Sequence, residues 1–410
     1  MPAVRTALRR PRGVLAVYRV RALVGFCLLG LVNVVLPSII FSSSYLIIPY
    51  SQPTVALIQG LPSLATKLVL PHVLRHISWW IRPCFLAASW ILAAVVTAAA
   101  PPNVPPLVRI LMTMLASASA AAAEVSFLSQ MRYYARWGLA GWGIGTGIGG
   151  AAVAVTPYLI TYGMGVFLRT SVDCVYYLVG ILLAAYFVVL PPAPLPRIAT
   201  KSPFTSPASS DGQENIPLAG MLPSRSKRSW ALARPLLVKF AVPLFTASSA
   251  QAFVFPASTR LRPMSPSLPS FSQFSAAFGA ALRMGDLITR ASIIMSRRKQ
   301  LRSLFALLAV AWGLQLINLF SLIASSTFPL LLLASSVGVA GGAIYMTVLS
   351  AVLDYTENKA RLADADFCIG VVSSGETAGG ILASLLGGFM EMGYCASETS
   401  SKGRWCTSTR

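Results

Sequence analysis

The sequence predicts an all-α, polytopic membrane protein with about eleven transmembrane helices, and three observations carry that prediction. Only 11% of the 410 residues are charged and 55% are hydrophobic. Soluble domains run to about 25% charged residues, so this chain cannot cover a water-facing surface of its size. Apolar stretches close to the roughly 20 residues that a helix needs to cross about 30 Å of hydrocarbon recur along it. Lys and Arg gather in short clusters between those stretches, as expected when basic loops stay on one side of a bilayer.

The first stretch, Leu23–Ile48, follows Arg5, Arg9, Arg10 and Arg12, which superficially resembles a secretory signal. It is too long for one and no small-residue cleavage site follows, so it reads as an uncleaved first helix. The second span, Val55–Leu74, carries Lys67 and ends at Arg75; the third is Pro83–Ala100. The fourth, Leu107–Gln130, contains "SASAAAAEVSFLSQ", where Glu124 follows a run of small residues. The fifth, Leu139–Tyr162, contains "WGIGTGIGG" (Trp142–Gly150). Its texture is that of a dinucleotide loop, but it follows no strand. Small residues at such spacing let helix backbones approach closely, so Gly143, Gly145 and Gly147 are expected at helix contacts. Val172–Leu190 is the sixth span.

Residues 191–231, rich in Pro, Ser and basic residues, read as a flexible cytosolic linker, a place for cytosolic protein partners to bind. The five spans after it are Leu232–Phe255, Phe271–Met295, Leu304–Ile323, Pro329–Leu353 and Phe367–Met392. Gly341 and Gly342 in the tenth are read as packing positions like those of the fifth. The expected plan is a basic cytosolic N-terminus (1–22), a six-helix half (23–190), the linker (191–231), a five-helix half (232–392) and a lumenal tail (393–410).

Orientation follows from the basic residues. With the N-terminus in the cytosol, 22 Lys and Arg fall on the cytosolic side and seven on the other, which favours a cytosolic N-terminus and a lumenal C-terminus. The net charge of +21 and pI of 10.3 would suit a nucleic-acid binder, but the basic residues form no single patch, so nucleic acid is excluded as a partner. Six cysteines without a CxxC and only two histidines provide neither a metal site nor a disulfide framework, and no cofactor is implied. Cys395 and Cys406 share the tail, as a lumenal disulfide or as two unpaired thiols.

Ionisable groups within a bilayer cost roughly 2.5–3.5 kcal/mol each on insertion scales and usually face a cavity or a partner. Glu376 lies about ten residues into its span, roughly 15 Å deep, flanked by Gly375, Gly379 and Gly380. It reads as a proton-titrating or substrate-contacting carboxylate, or as a structural hydrogen-bond partner of a neighbouring helix. Asp286 and Arg290, at i and i+4, share a helix face. They form either an internally neutralised pair or a site where the planar fork of Arg290 binds an anionic headgroup or phosphodiester, with Arg283 extending the face. Lys67 lies eight residues before Arg75 and Glu124 eight before Arg132. Both are therefore about 12 Å inside the same boundary, where they either pair across the second and fourth spans or line a wet vestibule separately.

Several stretches resemble the battenin family, the Batten-disease membrane proteins. "LLGLVNVVLPSII" (Leu28–Ile40) is similar to that family's first span, with Asn33 at its asparagine. "LPSLATKLVLP" (Leu61–Pro71) resembles its second, with Lys67 at the matching lysine. "AEVSFLS" followed by "WGIGTGIGG" resembles two further signatures. "LITRAS" (Leu287–Ser292), "GVAGGAIYMTV" (Gly338–Val348) and "SSGETAGGI" (Ser373–Ile381) fall in the order of its later segments. The resemblance runs from about residue 21 to 393, outside the linker and tails. It implies a major-facilitator-like two-bundle fold in the lysosomal or vacuolar membrane, with roles in vacuolar pH balance, basic amino-acid transport and glycerophosphodiester clearance. The chain departs from the family at Val34, where a second asparagine is usual, at Ser249–Ala250–Gln251 in place of an acidic motif, and at Thr347 in place of an asparagine. The proline-rich stretch after Phe255, between the seventh and eighth spans, is also shorter than the family's.

Three classes of function are then in play. A secondary transporter of a small solute, a cationic amino acid or a phosphodiester, with protons as coupling ion, explains two halves, a midplane carboxylate and glycine-rich packing. A membrane scaffold or trafficking regulator is the alternative. An enzyme is not expected: His72 and His76 sit at a helix end without an adjacent carboxylate. Membrane lipids surround any of these.

Overall fold

The computed structural model describes residues 12–45, 52–74, 76–99, 106–131, 133–158, 174–191, 234–260, 271–292, 301–321, 327–359 and 362–397. Among them are eleven helices: α1 (Arg12–Tyr45), α2 (Gln52–Leu74), α3 (Ile81–Ala99), α4 (Pro106–Met131), α5 (Ala135–Tyr158), α6 (Cys174–Ala184, continued by a π-helical turn Ala185–Val189), α7 (a π-helical turn Leu237–Ala241 leading into Val242–Arg260), α8 (Phe271–Ser292), α9 (Leu301–Ser321), α10 (Thr327–Lys359) and α11 (Leu362–Ser397). They stand at the places of the eleven expected spans.

Helix ends depart from the apolar boundaries in an informative way. α1 begins at Arg12 rather than Leu23, so residues expected in an N-terminal segment are helical, and α11 outruns its apolar stretch at both ends. Hydropathy marks only the hydrocarbon-embedded part, whereas a helix continues into the headgroup zone, where charged side chains are solvated. α7 also continues through Pro256 to Arg260. The expected linker, residues 191–231, lies outside the described residues from residue 192 on, as does Cys406.

Six helical segments are long and apolar enough to cross a bilayer by length and composition: Ala16–Ile40, Thr54–Leu74, Leu107–Met131, Arg234–Phe253, Phe328–Tyr355 and Phe367–Phe389. Ile81–Val96, Cys174–Val189 and Arg302–Ile317 are apolar but shorter. That leaves the glycine-rich α5 and the more polar α8. α5 packs between α1 and α8, and α8 between α5 and α10, so both have protein where an outer helix has lipid.

The architecture is two bundles. α1 packs chiefly on α5 and also on α4 and α6; in the second bundle α7 packs on α11 and α8 on α10. The bundles meet along two seams, α2 against α11 and α5 against α8. Small residues make the contacts close. A Cβ on Gly145 would collide with the Cys27 carbonyl of α1, and one on Gly370 with the Lys67 carbonyl of α2. That carbonyl is the one left without its helical donor by Pro71 four residues on. The core is apolar and aromatic, with Phe26, Trp90, Phe127, Trp142, Phe274 and Phe278 buried.

Candidate functional site

Five charged groups within the spans, Lys67, Glu124, Asp286, Arg290 and Glu376, come together beside the two seams. Lys67 of α2 places its ammonium 2.8 Å from Glu124 Oε2 of α4, with side-chain exposures of 3% and 13%. The two helices come this close because α4 presents Ala120–Ala123, and because Ser117 of α4 donates a hydrogen bond to the Gln59 carbonyl of α2. Lys67 Nζ also donates to the Ser373 carbonyl of α11 at 3.3 Å. The lysine thus belongs to the first bundle and reaches the second. Glu124 Oε1 is buried without a partner.

The second pair forms within α8. Arg290 Nε donates to Asp286 Oδ1 at 2.8 Å, and Arg283 stands 3.9 Å from the other carboxylate oxygen. The guanidinium also donates from Nη1 to Thr146 Oγ1 of α5 at 2.8 Å, and its carbon lies 4.3 Å from the ring centre of Tyr345 on α10. Tyr345 accepts a bond of 3.4 Å from Trp142 Nε1. A buried arginine in this setting has a carboxylate, a hydroxyl and a π-face, so its charge is balanced and oriented in place.

Glu376 of α11 is different. It is partly buried, one turn beyond Ser373, and makes no hydrogen bond or ion pair with a described residue. The charges that act on it are those of Glu124, Lys67, Arg290 and Asp286, drawn from three other helices of both bundles. Its backbone is tightly held: Ser248 Oγ of α7 donates to its carbonyl at 2.6 Å and Ser249 Oγ to that of Gly379 at 3.1 Å. Gly375 and Gly379 let α7 approach, since Cβ atoms there would collide with the Ala241 and Phe245 carbonyls. The helix is fixed while the carboxylate is left without a partner.

The remaining candidates fall around this centre. A Cβ on Gly342 would meet Asp286 Oδ1, one on Gly143 the end of Met346, one on Gly147 the Leu287 side chain, and one on Gly341 the Gln251 amide. Gly342 therefore makes room for the Asp286 carboxylate itself. Asn33 of α1 is buried with Oδ1 unpartnered, and no hydrogen bond or ion pair joins it to the charged groups. His72 lies against Phe367, ring centres 4.9 Å apart. No group of three or more His, Cys, Asp or Glu among the described residues could hold a metal ion. Sequence reasoning did not single out Thr146, Trp142, Tyr345 or the Ser373 carbonyl. The available signal was a lone hydroxyl in the glycine run, and a tyrosine beside two glycines in "GVAGGAIYMTV".

Comparison with known proteins places this geometry in context. The sequence model of the CLN3 protein family matches residues 24–397. The chain is 29% identical to Protein BTN1 of Yarrowia lipolytica over 397 residues, covering 93% of this chain and 96% of that one. It is 27% identical to Protein btn-1 of Neurospora crassa over 424 residues, covering 93% and 90%. Among solved structures, it resembles a bacterial homolog of the human lysosomal transporter Spinster, crystallised inward-facing and unoccupied. The TM-score is 0.52 and the identity 14%, over 93% of this chain and 84% of that one. At that identity the likeness concerns the fold alone, a two-bundle helical architecture.

Proposed function

The chain belongs to the CLN3 protein family, and from that premise we propose that it is a vacuolar, lysosome-like membrane transporter of a cationic amino acid in which Glu376 holds the solute or its coupling proton. One observation carries the reading: Glu376 is an unpaired carboxylate between two ion pairs that are already neutral. Lys67 and Arg290 supply two buried positive charges against Glu124, Asp286 and Glu376, whereas Arg283, 3.9 Å from Asp286, is 45% exposed and its charge is largely solvated. The centre is therefore short of one positive charge, and a proton or a cationic solute supplies it at the least desolvation cost. Proton exchange at this position is also the link to vacuolar pH balance. The N-terminus is cytosolic in this reading, on the charge bias of 22 to seven.

A phosphodiester is the second solute reading, favoured by the guanidinium of Arg290. Asp286 at 2.8 Å already takes the face that an anion would use, which places this reading behind the cation. A scaffold or trafficking role needs none of these charges at depth.

Uptake into proteoliposomes of purified protein separates the readings. Radiolabelled arginine should accumulate under an imposed pH gradient. Glu376→Gln should abolish that accumulation while leaving expression and the elution profile intact. Unchanged uptake in the variant would remove Glu376 from the mechanism, and no uptake of either solute class by the parent protein would favour the scaffold.

A further inference from the structure

Arg283 is a cation at depth that neither buried ion pair needs. It follows Leu282 on α8, whose carbonyl lies against Gly338 of α10. Gly338 is ten residues in from Phe328, the nearer end of the apolar segment Phe328–Tyr355, or roughly 15 Å at the rise of a helix. Arg283 therefore stands deep within the hydrocarbon zone, yet its side chain is 45% exposed. An ionised group at that depth faces a water-filled space or a partner.

The exposed side is not the lipid side. Met284 and Ile288, 48% and 57% exposed and one turn apart, form the outer face of α8. Gly285 lies against the Ser335 carbonyl of α10, and Asp286 and Thr289 against Gly342. The Arg283 stem runs over α5 instead: a Cβ on Gly150 would be in ordinary contact, at 3.4 Å, with its Cδ. The tip then comes within 3.9 Å of the Asp286 carboxylate, which is 2% exposed, so the guanidinium is directed inward with it. At 3.9 Å the two attract as charges but form no hydrogen bond. Asp286 accepts its short bond, 2.8 Å, from Arg290, and Arg283 makes no hydrogen bond with a described residue. Five N–H donors on a rigid fork are left facing the space that exposes them.

We infer that Arg283 receives the carboxylate of the transported amino acid, an assignment that rests on the cationic amino-acid reading and supplies the other half of its site. An amino acid has two unlike ends. Glu376 suits the cationic end, while the carboxylate needs a donor fork that neither other buried cation has free. Lys67 is held by Glu124 and the Ser373 carbonyl, and Arg290 by Asp286 and Thr146. Asp286 is linked to both ends, since it touches Arg283 and is among the charges that act on Glu376. A site built on Glu376 alone admits any cation. With Arg283 it selects cations that also carry a carboxylate, which a guanidinium binds through two parallel N–H bonds.

The test compares arginine with agmatine, the same cation without its carboxylate, as radiolabelled ligands of the purified full-length protein in a scintillation proximity assay. The parent protein should bind arginine roughly 10-fold more tightly than agmatine, the lower end of what a charge-assisted hydrogen bond contributes. Arg283→Gln should bring arginine down to the level of agmatine. Arg283→Lys, which keeps the charge but not the fork, should retain part of the preference. Equal binding of the two ligands by the parent, or a preference that survives Arg283→Gln, would overturn the assignment while the cationic reading stands. Loss of agmatine together with arginine in Arg283→Gln would make Arg283 a structural residue and overturn it too. Displacement of arginine by dimethyl phosphate that disappears in Arg283→Gln while the preference over agmatine persists would give the fork to phosphate instead. A parent protein that binds neither ligand would overturn the cationic reading and this assignment with it.

Discussion

Removing one member of the Lys67–Glu124 pair is the most demanding perturbation that the structure suggests. The charges are 2.8 Å apart, with side-chain exposures of 3% and 13%, so neither can turn to bulk water when its partner is lost. Breaking such a pair from one side costs about 3–5 kcal/mol, because the surviving charge stays buried and uncompensated. The two single changes are not equivalent. In Glu124→Gln the ammonium keeps its bond to the Ser373 carbonyl and still has the nearby charge of Glu376, which puts the loss at the lower end of that range. In Lys67→Met two carboxylates, Glu124 and Glu376, are left facing each other without a cation between them, and the loss is at the upper end. The double change removes both buried charges and should recover a coupling energy of about 2–3 kcal/mol, the upper part of what touching residues show. Equilibrium unfolding of the four proteins in mixed micelles measures this cycle. Losses that simply add, or a Glu124→Gln variant that is less stable than Lys67→Met, would refute the reasoning.

The other expected outcomes are more direct. A tag placed after Arg410 should resist protease added to intact vacuoles while one before Ala3 is cut; the reverse pattern would invert the orientation drawn from the basic residues. Asp286→Asn should destabilise the protein by about 3–5 kcal/mol because Arg290 is buried beside it, and Arg290→Met in the same chain should restore part of the loss in thermal unfolding. Gly145→Leu should push α1 from α5 and cost at least about 1–3 kcal/mol as overpacking, visible as a lower melting temperature, whereas Gly313→Leu, where a side chain meets open space, should change little.

How far this arrangement was legible in the sequence differs from residue to residue. The Lys67–Glu124 contact could be read by counting, because a helix converts eight residues from a basic anchor into a depth, and two opposite charges at one depth need each other. Asp286–Arg290 was legible for the simpler reason that i and i+4 share a face. Thr146 was not. It stands in a glycine run whose composition speaks only of close packing, and nothing local says that its hydroxyl faces α8 rather than α1. The inward turn of Arg283 was equally hidden, since the glycine that its stem crosses belongs to α5, far away in the chain. The helices themselves were legible to within the headgroup zone, where α1 and α11 continue and hydropathy does not follow.

The placement of the hydrogen bonds between the bundles has a mechanical consequence. Each ion pair lies within one bundle, Lys67–Glu124 in the first and Asp286–Arg290 in the second. Each also sends a single bond across: Lys67 to the Ser373 carbonyl over the α2–α11 seam, and Arg290 to Thr146 over the α5–α8 seam. A hydrogen bond from a charged group contributes about 1.5–3 kcal/mol net. Rocking one bundle against the other therefore breaks one such bond at whichever seam opens, together with the weaker Trp142–Tyr345 bond on the α5 side, and leaves both ion pairs intact. Had either pair been split between bundles, the same motion would expose or strand a buried charge at about 3–5 kcal/mol. Glu376 is the exception that gives the motion a purpose in this reading. It sits on the second bundle but feels Lys67 and Glu124 of the first, so its electrostatic surroundings change whenever the α2–α11 seam opens, and a bound proton or cationic solute keeps it neutral while they do.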